Sequence, residues 1–316
     1  MIKWIVANNE LKIISGNGNH ALAGKIAASL GTNLTDVTCR QFSDKEIHLQ
    51  INENVRGCNV FLVQPTCYPA NDNIMELLLL IDAARRASAS SITAVLPYFG
   101  YARQDRKDRP RVPISAALVA NTIENAGADR VLVMDLHAPQ IQGFFKIPVD
   151  HLYGAPILAE RFTRMNIPNV TVVSPDVGGT ERARRFAAII GAPLAIIDKY
   201  RPEPNSCEIM HIIGDVKGRN CIMVDDLVDT AKTLTKGAQA LVDAGALAVW
   251  ATATHGVLSG AAIELIEKSV LQEVVIADTI PADLSASTRI VTVPSSQIFS
   301  QAIFSVHNET SVSKLF

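Results

Sequence analysis

Short aliphatic and β-branched runs alternate along this chain with stretches in which apolar positions recur every three or four residues. The runs Asn59 to Gln64, Ile92 to Leu96, Val131 to Leu136, Val170 to Ser174, Leu194 to Ile197, Cys221 to Val224, Val249 to Thr254 and Glu273 to Ala277 are nearly uniformly apolar. Uniform rather than alternating hydrophobicity is expected of strands covered on both faces, the situation of a parallel sheet. Between the runs the period changes to helical. Asn73 to Ala87 carries Ile74, Leu77, Leu78 and Ile81 on one face, with Asp72 placed to cap its start. Further helices are expected over Ile114 to Asn125, Gly154 to Met165, Thr180 to Ile190, Thr230 to Asp243, Gly260 to Lys268 and Ser296 to Asn308. Strand and helix in alternation define an α/β fold with mostly parallel sheets flanked by helices.

A repeat organises these elements. AGADRVLVMDLH at 126 to 137 and AGALAVWATATH at 244 to 255 match at Ala, Gly, Ala, Val and His with an offset of 118 residues. AGA is a common helix end, since Gly suits the left-handed position there. However, each copy is also preceded by a strand, a polar loop and a helix, so two copies of one α/β unit is the better account. The loop after the strand is compact and acidic in the second copy (DDLVDTAKT) and long and basic in the first (GYARQDRKDRPRVP).

With 316 residues the chain exceeds the usual size of a single core, which agrees with a division near residue 150. The expected domains are 1–150 and 151–295, with the terminal helix from 296 returning to the first. Twenty-nine basic and 31 acidic residues give a formal charge of -2, so no overall basic field for nucleic acid exists. The aliphatic run Leu77 to Ile81 is closed by Glu76 and Asp82, and no apolar run in the chain approaches the length of a membrane span. From Met1 to Gly16 no secretory pattern is visible, and the expected location is cytoplasmic. Cys39, Cys58, Cys67, Cys207 and Cys221 show no metal-ligand spacing and read as reduced packing residues.

The strongest chemical signal lies at 225 to 233. An apolar strand ends in Asp225 and Asp226, and Asp229, Thr230, Ala231, Lys232 and Thr233 open a helix. Ligands of open α/β sheets bind beyond the carboxyl ends of strands, and the free N–H groups of a helix start attract phosphate. Small residues let a phosphate approach, two hydroxyls add donors, and the paired carboxylates suit sugar hydroxyls or a metal. A plain capped helix would need one Asp rather than three.

This segment resembles the ribose-phosphate motif of the phosphoribosyltransferase fold. FSDKEI (42–47), MELLLLIDAARRASA (75–89), PYFGYARQDRK (97–107), DLHAPQIQGFF (135–145), SPDVGG (174–179) and IIDKYRP (196–202) are similar to one branch of that superfamily, the ribose-phosphate pyrophosphokinase (phosphoribosyl pyrophosphate synthase) family. The resemblance runs from about Ile14 to Phe316. It implies two tandem phosphoribosyltransferase-like domains, the first on the ATP side and the second on the ribose 5-phosphate side. The implied reaction is transfer of the β,γ-diphosphoryl group of Mg-ATP to the anomeric hydroxyl of ribose 5-phosphate. The implied assembly is a homo-oligomer, a hexamer of dimers.

Carried onto this chain, the resemblance makes Lys199 and Arg201 the catalytic basic pair on a flap. Phe42, Asp44, Glu46, Arg103 and Gln104 become ATP-binding residues, with Phe42 a stacking face for adenine on a hairpin that serves a neighbouring subunit. His137 and Asp176 become ligands to Mg2+ or its water shell. Asp225 and Asp226 would hold the ribose hydroxyls, and Asp229 to Thr233 the 5-phosphate. His255, the repeat mate of His137, keeps a structural reading. Arg56, Ser311, Ser313 and Phe316 match the family's regulatory site.

Four positions depart from the family pattern: Lys45 and Lys232 stand where Gly is usual, Tyr200 where Arg is frequent, and Pro110 where Ser is usual. Two rival readings remain at this level, a phosphoribosyltransferase that consumes the product and a catalytically inactive regulatory paralogue.

Overall fold

The computed structural model describes residues 10–200 and 209–316. Within these residues the chain folds as two compact units: one runs to Tyr153 and resumes at Ser295–Phe316, the other is Gly154–Pro294.

The first unit is built on a five-stranded sheet. In chain order its elements are β1 (Leu11–Ser15), α1 (His20–Ser29), the hairpin β2 (Val37–Gln41) and β3 (Ile47–Ile51), β4 (Asn59–Val63), α2 (Ala70–Arg86), β5 (Ser91–Leu96), α3 (Ser115–Ala126), β6 (Arg130–Met134) and β7 (Val149–Leu152). The sheet order is β1-β4-β5-β6-β7, parallel throughout, and β2–β3 forms a separate antiparallel pair. Alternate residues of β4 serve opposite faces: Val60 and Leu62 pack with Leu77, Leu80, Ile81 and Ile123 of α2 and α3, while Phe61 and Val63 pack with Leu22 and Ile26 of α1. That second face is completed by Phe299, Ala302 and Ile303, which belong to the terminal helix. The uniformly apolar reading of these strands follows from this two-sided cover.

The second unit comprises α4 (Ala155–Met165), β8 (Val170–Ser174), α5 (Thr180–Ile190), β9 (Leu194–Tyr200), β10 (Ile209–Ile213), β11 (Asn220–Val228), α6 (Lys232–Asp243), β12 (Ala248–Gly256), α7 (Ala262–Glu267), β13 (Leu271–Ala277) and β14 (Ile290–Val293). Among the described residues its sheet has seven strands in the order β10-β9-β8-β11-β12-β13-β14, and only β10 runs antiparallel to its neighbour. Along β11, Cys221 and Met223 face α6, whereas Ile222 and Val224 face Phe162 and Phe186 of α4 and α5. The chain then returns as α8 (Ser296–His307) to lie on α1.

Three expectations are corrected. Asp72 does not cap its helix: α2 begins at Ala70 behind Pro69, so Asp72 lies inside the first turn, where its charge still favours the helix dipole. The helix expected from Thr230 starts only at Lys232. Strands β11 and β12 run to Val228 and Gly256, beyond the apolar stretches that announced them, because polar residues at their ends still pair in the ladder.

The repeat is visible in the fold. Gly127 and Gly245 end α3 and follow α6 with φ of 115° and 94°, a region that favours glycine, and both lead into a strand parallel to its predecessor. The copies part at the two histidines. Asp135 has φ of 38° and turns the chain out of the sheet, leaving His137 exposed; its counterpart Ala253 stays in β12, so His255 is buried. His255 Nδ1 lies 2.9 Å from Thr279 Oγ1, whose own proton goes to the Thr254 carbonyl, so the imidazole is the donor. The structural reading of His255 follows from this pairing.

Cys58, Cys67 and Cys221 are buried, and burial pushes the Cys67 and Cys221 thiols up to about 11. Cys207 lies outside the described residues. No described helix is long and apolar enough to cross a membrane.

The connection from β13 to β14 is anchored by one carboxylate. Glu267 accepts from Ser287 Oγ (2.7 Å), Thr288 Oγ1 (2.8 Å) and the Thr288 and Arg289 N–H groups (both 3.0 Å). These donors, the Ser287 and Thr288 hydroxyls first, hold the carboxyl down at about 2. A depressed carboxyl stabilises the fold above the ordinary carboxylate range, and that contribution is lost as pH falls toward 2. Glu267→Gln is therefore expected to lower the melting temperature at pH 7, with the gap to wild type closing between pH 4.5 and 2.5 in thermal-shift measurements. A gap that stays constant over that range refutes the anchor.

Candidate active site

Strand β11 is buried through Val224 and then carries two successive carboxylates into the edge of the core. Asp226 is only 3 % exposed, and Asp225 is half-buried beside it. Two carboxylates in a desolvated place repel each other and lose hydration, a cost that a cation and hydrogen bonds must offset. Arg182 supplies the cation: its Nη1 lies 3.1 Å from Asp225 Oδ1 and 3.1 Å from Asp226 Oδ1. The Asp226 N–H also donates to Asp225 Oδ1 at 2.8 Å. Burial first, and the Asp226 carboxylate second, still push Asp225 well above the ordinary carboxylate range against the pull of Arg182.

Arg182 was not singled out from the sequence. TERARRF places three arginines on α5, and only the packing of Ala183 and Phe186 into the core decides that Arg182 faces the acid pair while Arg184 and Arg185 stay exposed.

Beyond the acid pair, Val228 and Asp229 carbonyls accept from Val257, Leu258 and Ser259 N–H groups at 2.9–3.0 Å and fix the exit of the strand. Thr230 is exposed, and Ala231 turns the chain with φ of 59°. No side chain caps α6, which begins at Lys232, so the N–H groups of its first turn and the Thr230 and Thr233 hydroxyls sit together at the positive end of a helix dipole. The left-handed residue in this loop is Ala231. Lys232 has ordinary helical backbone and an exposed side chain, so this fold does not require glycine there.

Asp176 lies in the same unit, in the turn between β8 and α5. Its Oδ1 accepts from the Gly179 N–H at 2.8 Å, and its carbonyl accepts from Ser174 Oγ at 2.7 Å. Gly179 is closely surrounded: a Cβ there would lie 3.0 Å from Ser174 Oγ and 3.6 Å from both Arg182 Nη1 and Asp176 Oδ1. The Asp176 turn and the Arg182 clamp thus converge on one point.

In the first unit the 42–46 turn closes hairpin β2–β3. Phe42 is 50 % exposed, Asp44 and Glu46 are exposed, and Asp44 Oδ1 accepts from the Glu46 N–H. Lys45 has φ of 75°, which explains a preference for Gly at this position and marks Lys45 as a strained substitute. Arg103 and Gln104 lie in the 97–114 connection between β5 and α3. Arg103 is exposed, whereas Gln104 accepts from Ser115 Oγ and receives Ala116 N–H at its carbonyl, so it also holds the start of α3.

Lys199 pairs with Met210 in the β9–β10 ladder, while its side chain and Arg201 lie outside the described residues. Ser311, Ser313 and Phe316 line a cleft of about 800 Å³ in the first unit, together with Arg130, His151 and Tyr153. Arg56 does not line that cleft, so the structure assembles three of the four residues grouped by the sequence.

The acid pair makes a testable statement about stability. An acid raised on folding contributes stability below its unfolded value, and this is lost as pH rises through the folded value. Asp225→Asn removes the repulsion and is expected to raise the melting temperature of the ligand-free chain, with the advantage growing from pH 5 to pH 9 in differential scanning calorimetry. Parallel curves over that range would refute the strained pair.

Comparison with known proteins agrees with this geometry. Residues 11–127 match the model of the N-terminal domain of ribose phosphate pyrophosphokinase, and 201–316 match the phosphoribosyl synthetase-associated domain. The chain is 56 % identical to a ribose-phosphate pyrophosphokinase of Caldanaerobacter subterraneus and 54 % identical to that of Oceanobacillus iheyensis, each over 98 % of both chains. Its fold is similar to the crystal structure of phosphoribosylpyrophosphate synthetase from Mycobacterium smegmatis, with a TM-score of 0.90 at 38 % identity over 95 % of this chain and 99 % of that one. With identity above one half over nearly its whole length to relatives of that name, this chain belongs to the ribose-phosphate pyrophosphokinase family.

Proposed function

We propose that this chain transfers the β,γ-diphosphoryl group of Mg-ATP to the anomeric hydroxyl of ribose 5-phosphate, giving phosphoribosyl pyrophosphate and AMP. The observation that carries this reading is the Asp225–Asp226–Arg182 cluster placed directly before the uncapped start of α6. A sugar phosphate has hydroxyl donors at one end and an anion at the other. The acid pair accepts the ribose hydroxyls, which supply the hydrogen bonds that two crowded carboxylates need. The α6 N–H groups and the Thr230 and Thr233 hydroxyls take the 5-phosphate, as a helix start does for anions.

Diphosphoryl transfer depends on positioning and charge neutralisation more than on covalent chemistry. Arg103 and the basic 101–111 segment, net +3, support binding of the triphosphate. Lys199 and Arg201 are assigned to the charge on the transferring group and the departing AMP. When bound, Mg2+ neutralises phosphate charge. Asp176, exposed and with one oxygen already oriented by the Gly179 N–H, offers a carboxylate of the kind magnesium takes, and the exposed imidazole of His137 is assigned to the metal or its water shell. Magnesium characteristically takes one or two protein oxygens and completes its shell with water and substrate phosphates. The exposed Phe42 and its acidic neighbours fit an adenine site formed with a second copy of the chain, in line with a hexameric assembly.

AMP formation that requires both ATP and ribose 5-phosphate tests this reading. Turnover of phosphoribosyl pyrophosphate with a free base would point to a transferase, and no reaction at all to an inactive paralogue. Lys199→Ala is expected to lower turnover roughly a hundredfold, the scale of losing one charge-stabilising donor, with little change in either half-saturation constant. A turnover within about threefold of wild type, under 1 kcal/mol, removes Lys199 from catalysis. Lys232→Gly is expected to keep activity and to shift ribose 5-phosphate half-saturation by less than about tenfold, because an exposed ammonium contributes little. If that substitution creates activity in a chain that had none, the inactive-paralogue reading is correct.

A further inference from the structure

Where β6 ends, the backbone leaves the sheet one residue before a buried N–H. Met134 is the last residue in register with β7, paired to Leu152, and the Asp135 N–H still reaches the Leu152 carbonyl at 3.0 Å. Asp135 then adopts φ of 38°, and the next N–H, that of the buried Leu136, has lost the ladder. It donates instead to His151 Nε2 at 3.0 Å. A side chain of β7 therefore substitutes for a strand carbonyl at the point where the chain turns toward His137. With Nε2 accepting, the neutral ring carries its proton on Nδ1. The ring is held from the other side by aromatic contacts: His151 to Tyr153 at 4.8 Å between centroids, and Tyr153 edge-on to Phe316 at 5.2 Å. His151, Tyr153, Gln142 and Phe316 also line the cleft at the C-terminal turn.

We propose that His151 is a positioning residue for the His137 turn, and that the ring series Phe316, Tyr153, His151 transmits the position of the C-terminal turn to it. His151 acts through the Leu136 N–H and does not touch substrate. Its effect on the reaction rests on the reading of His137 as a magnesium donor. The packing has the features that such a role needs. A ring nitrogen of β7 here takes the place of a strand carbonyl, whereas the preceding Asp135 N–H still bonds backbone to backbone. The residue it steadies adjoins an exposed imidazole, and the left-handed Asp135 is where the Leu136 N–H leaves the ladder.

Hydrogen exchange by mass spectrometry on the ligand-free full chain reads the turn directly. In His151→Leu the peptide covering 135–138 is expected to exchange about fivefold faster, the scale of one lost hydrogen bond, while peptides from α2 and β12 are unchanged. His151→Gln, whose Oε1 can stand near the place of Nε2, is expected to restore protection. Phe316→Ala, at the chain end, is expected to give a smaller acceleration in the same peptide without loss of fold. In the assay, His151→Leu should raise the Mg2+ half-saturation about fivefold and leave that of ribose 5-phosphate within about twofold. Unchanged exchange at 135–138 in both His151→Leu and Phe316→Ala overturns the proposal, as does an equal rise in both half-saturation constants. His137→Ala separates the two readings: if it leaves Mg2+ dependence normal, the metal assignment of His137 fails, whereas a shift there with none in His151→Leu fails the positioning role.

Discussion

A parallel strand covered by helices on both faces has no tolerance for charge along its length, and this constraint organises both units. Val60 to Val63, Val131 to Met134 and Cys221 to Val224 are buried without interruption, so polar side chains collect where the strands emerge. Asp225 and Asp226 on β11, the Asp176 turn after β8 and the His137 turn after β6 all lie at carboxyl ends. The same requirement for helical cover brings helix starts to those ends, and with them unpaired N–H groups and a positive dipole. The proposed site for a phosphorylated sugar would thus be a by-product of building the sheet.

The acid pair carries the main conflict between stability and use. Burying two carboxylates next to one guanidinium leaves a net negative charge at the edge of the core, and Asp225 responds by holding its proton more tightly than a free carboxyl would. In the proposed reading such a site gains when a ligand brings hydroxyl donors, because the groups that destabilise the empty chain would become acceptors for the sugar. This matches the general tendency of binding sites to retain strain that a stability optimum would remove. Arg182 limits the cost by bridging both carboxylates from a helix that is anchored in the core through Ala183 and Phe186.

The two copies of the repeat diverged by changing where a strand stops. Both share a glycine after the helix and a strand laid parallel to the preceding one, yet β6 ends at Met134 while β12 continues to Gly256. One left-handed residue, Asp135, takes His137 out to solvent, and an in-register Ala253 keeps His255 inside with Thr279. The connections differ in parallel: 229–231 is a tight phosphate-type turn, while 97–114 is long and basic. One architecture thereby offers two different chemistries.

The sequence by itself determined the α/β class, most strands and helices to within a few residues, the repeat and the acid-rich segment before α6. These are written in local patterns of hydrophobicity and in short motifs, and burial on both faces makes those patterns strong. Family membership was legible too, because motifs such as DLHAPQIQGFF recur with their spacing intact. Only the tertiary structure decided that Arg182 rather than Arg184 or Arg185 clamps the acids, that Ala231 and not Lys232 bears the left-handed turn, that Ser311, Ser313 and Phe316 share one cleft with Arg130, His151 and Tyr153, and that His151 serves the Leu136 N–H. Each of these depends on which way a side chain or a backbone N–H points, and that direction is set by packing between segments distant in sequence, where no local pattern carries the information.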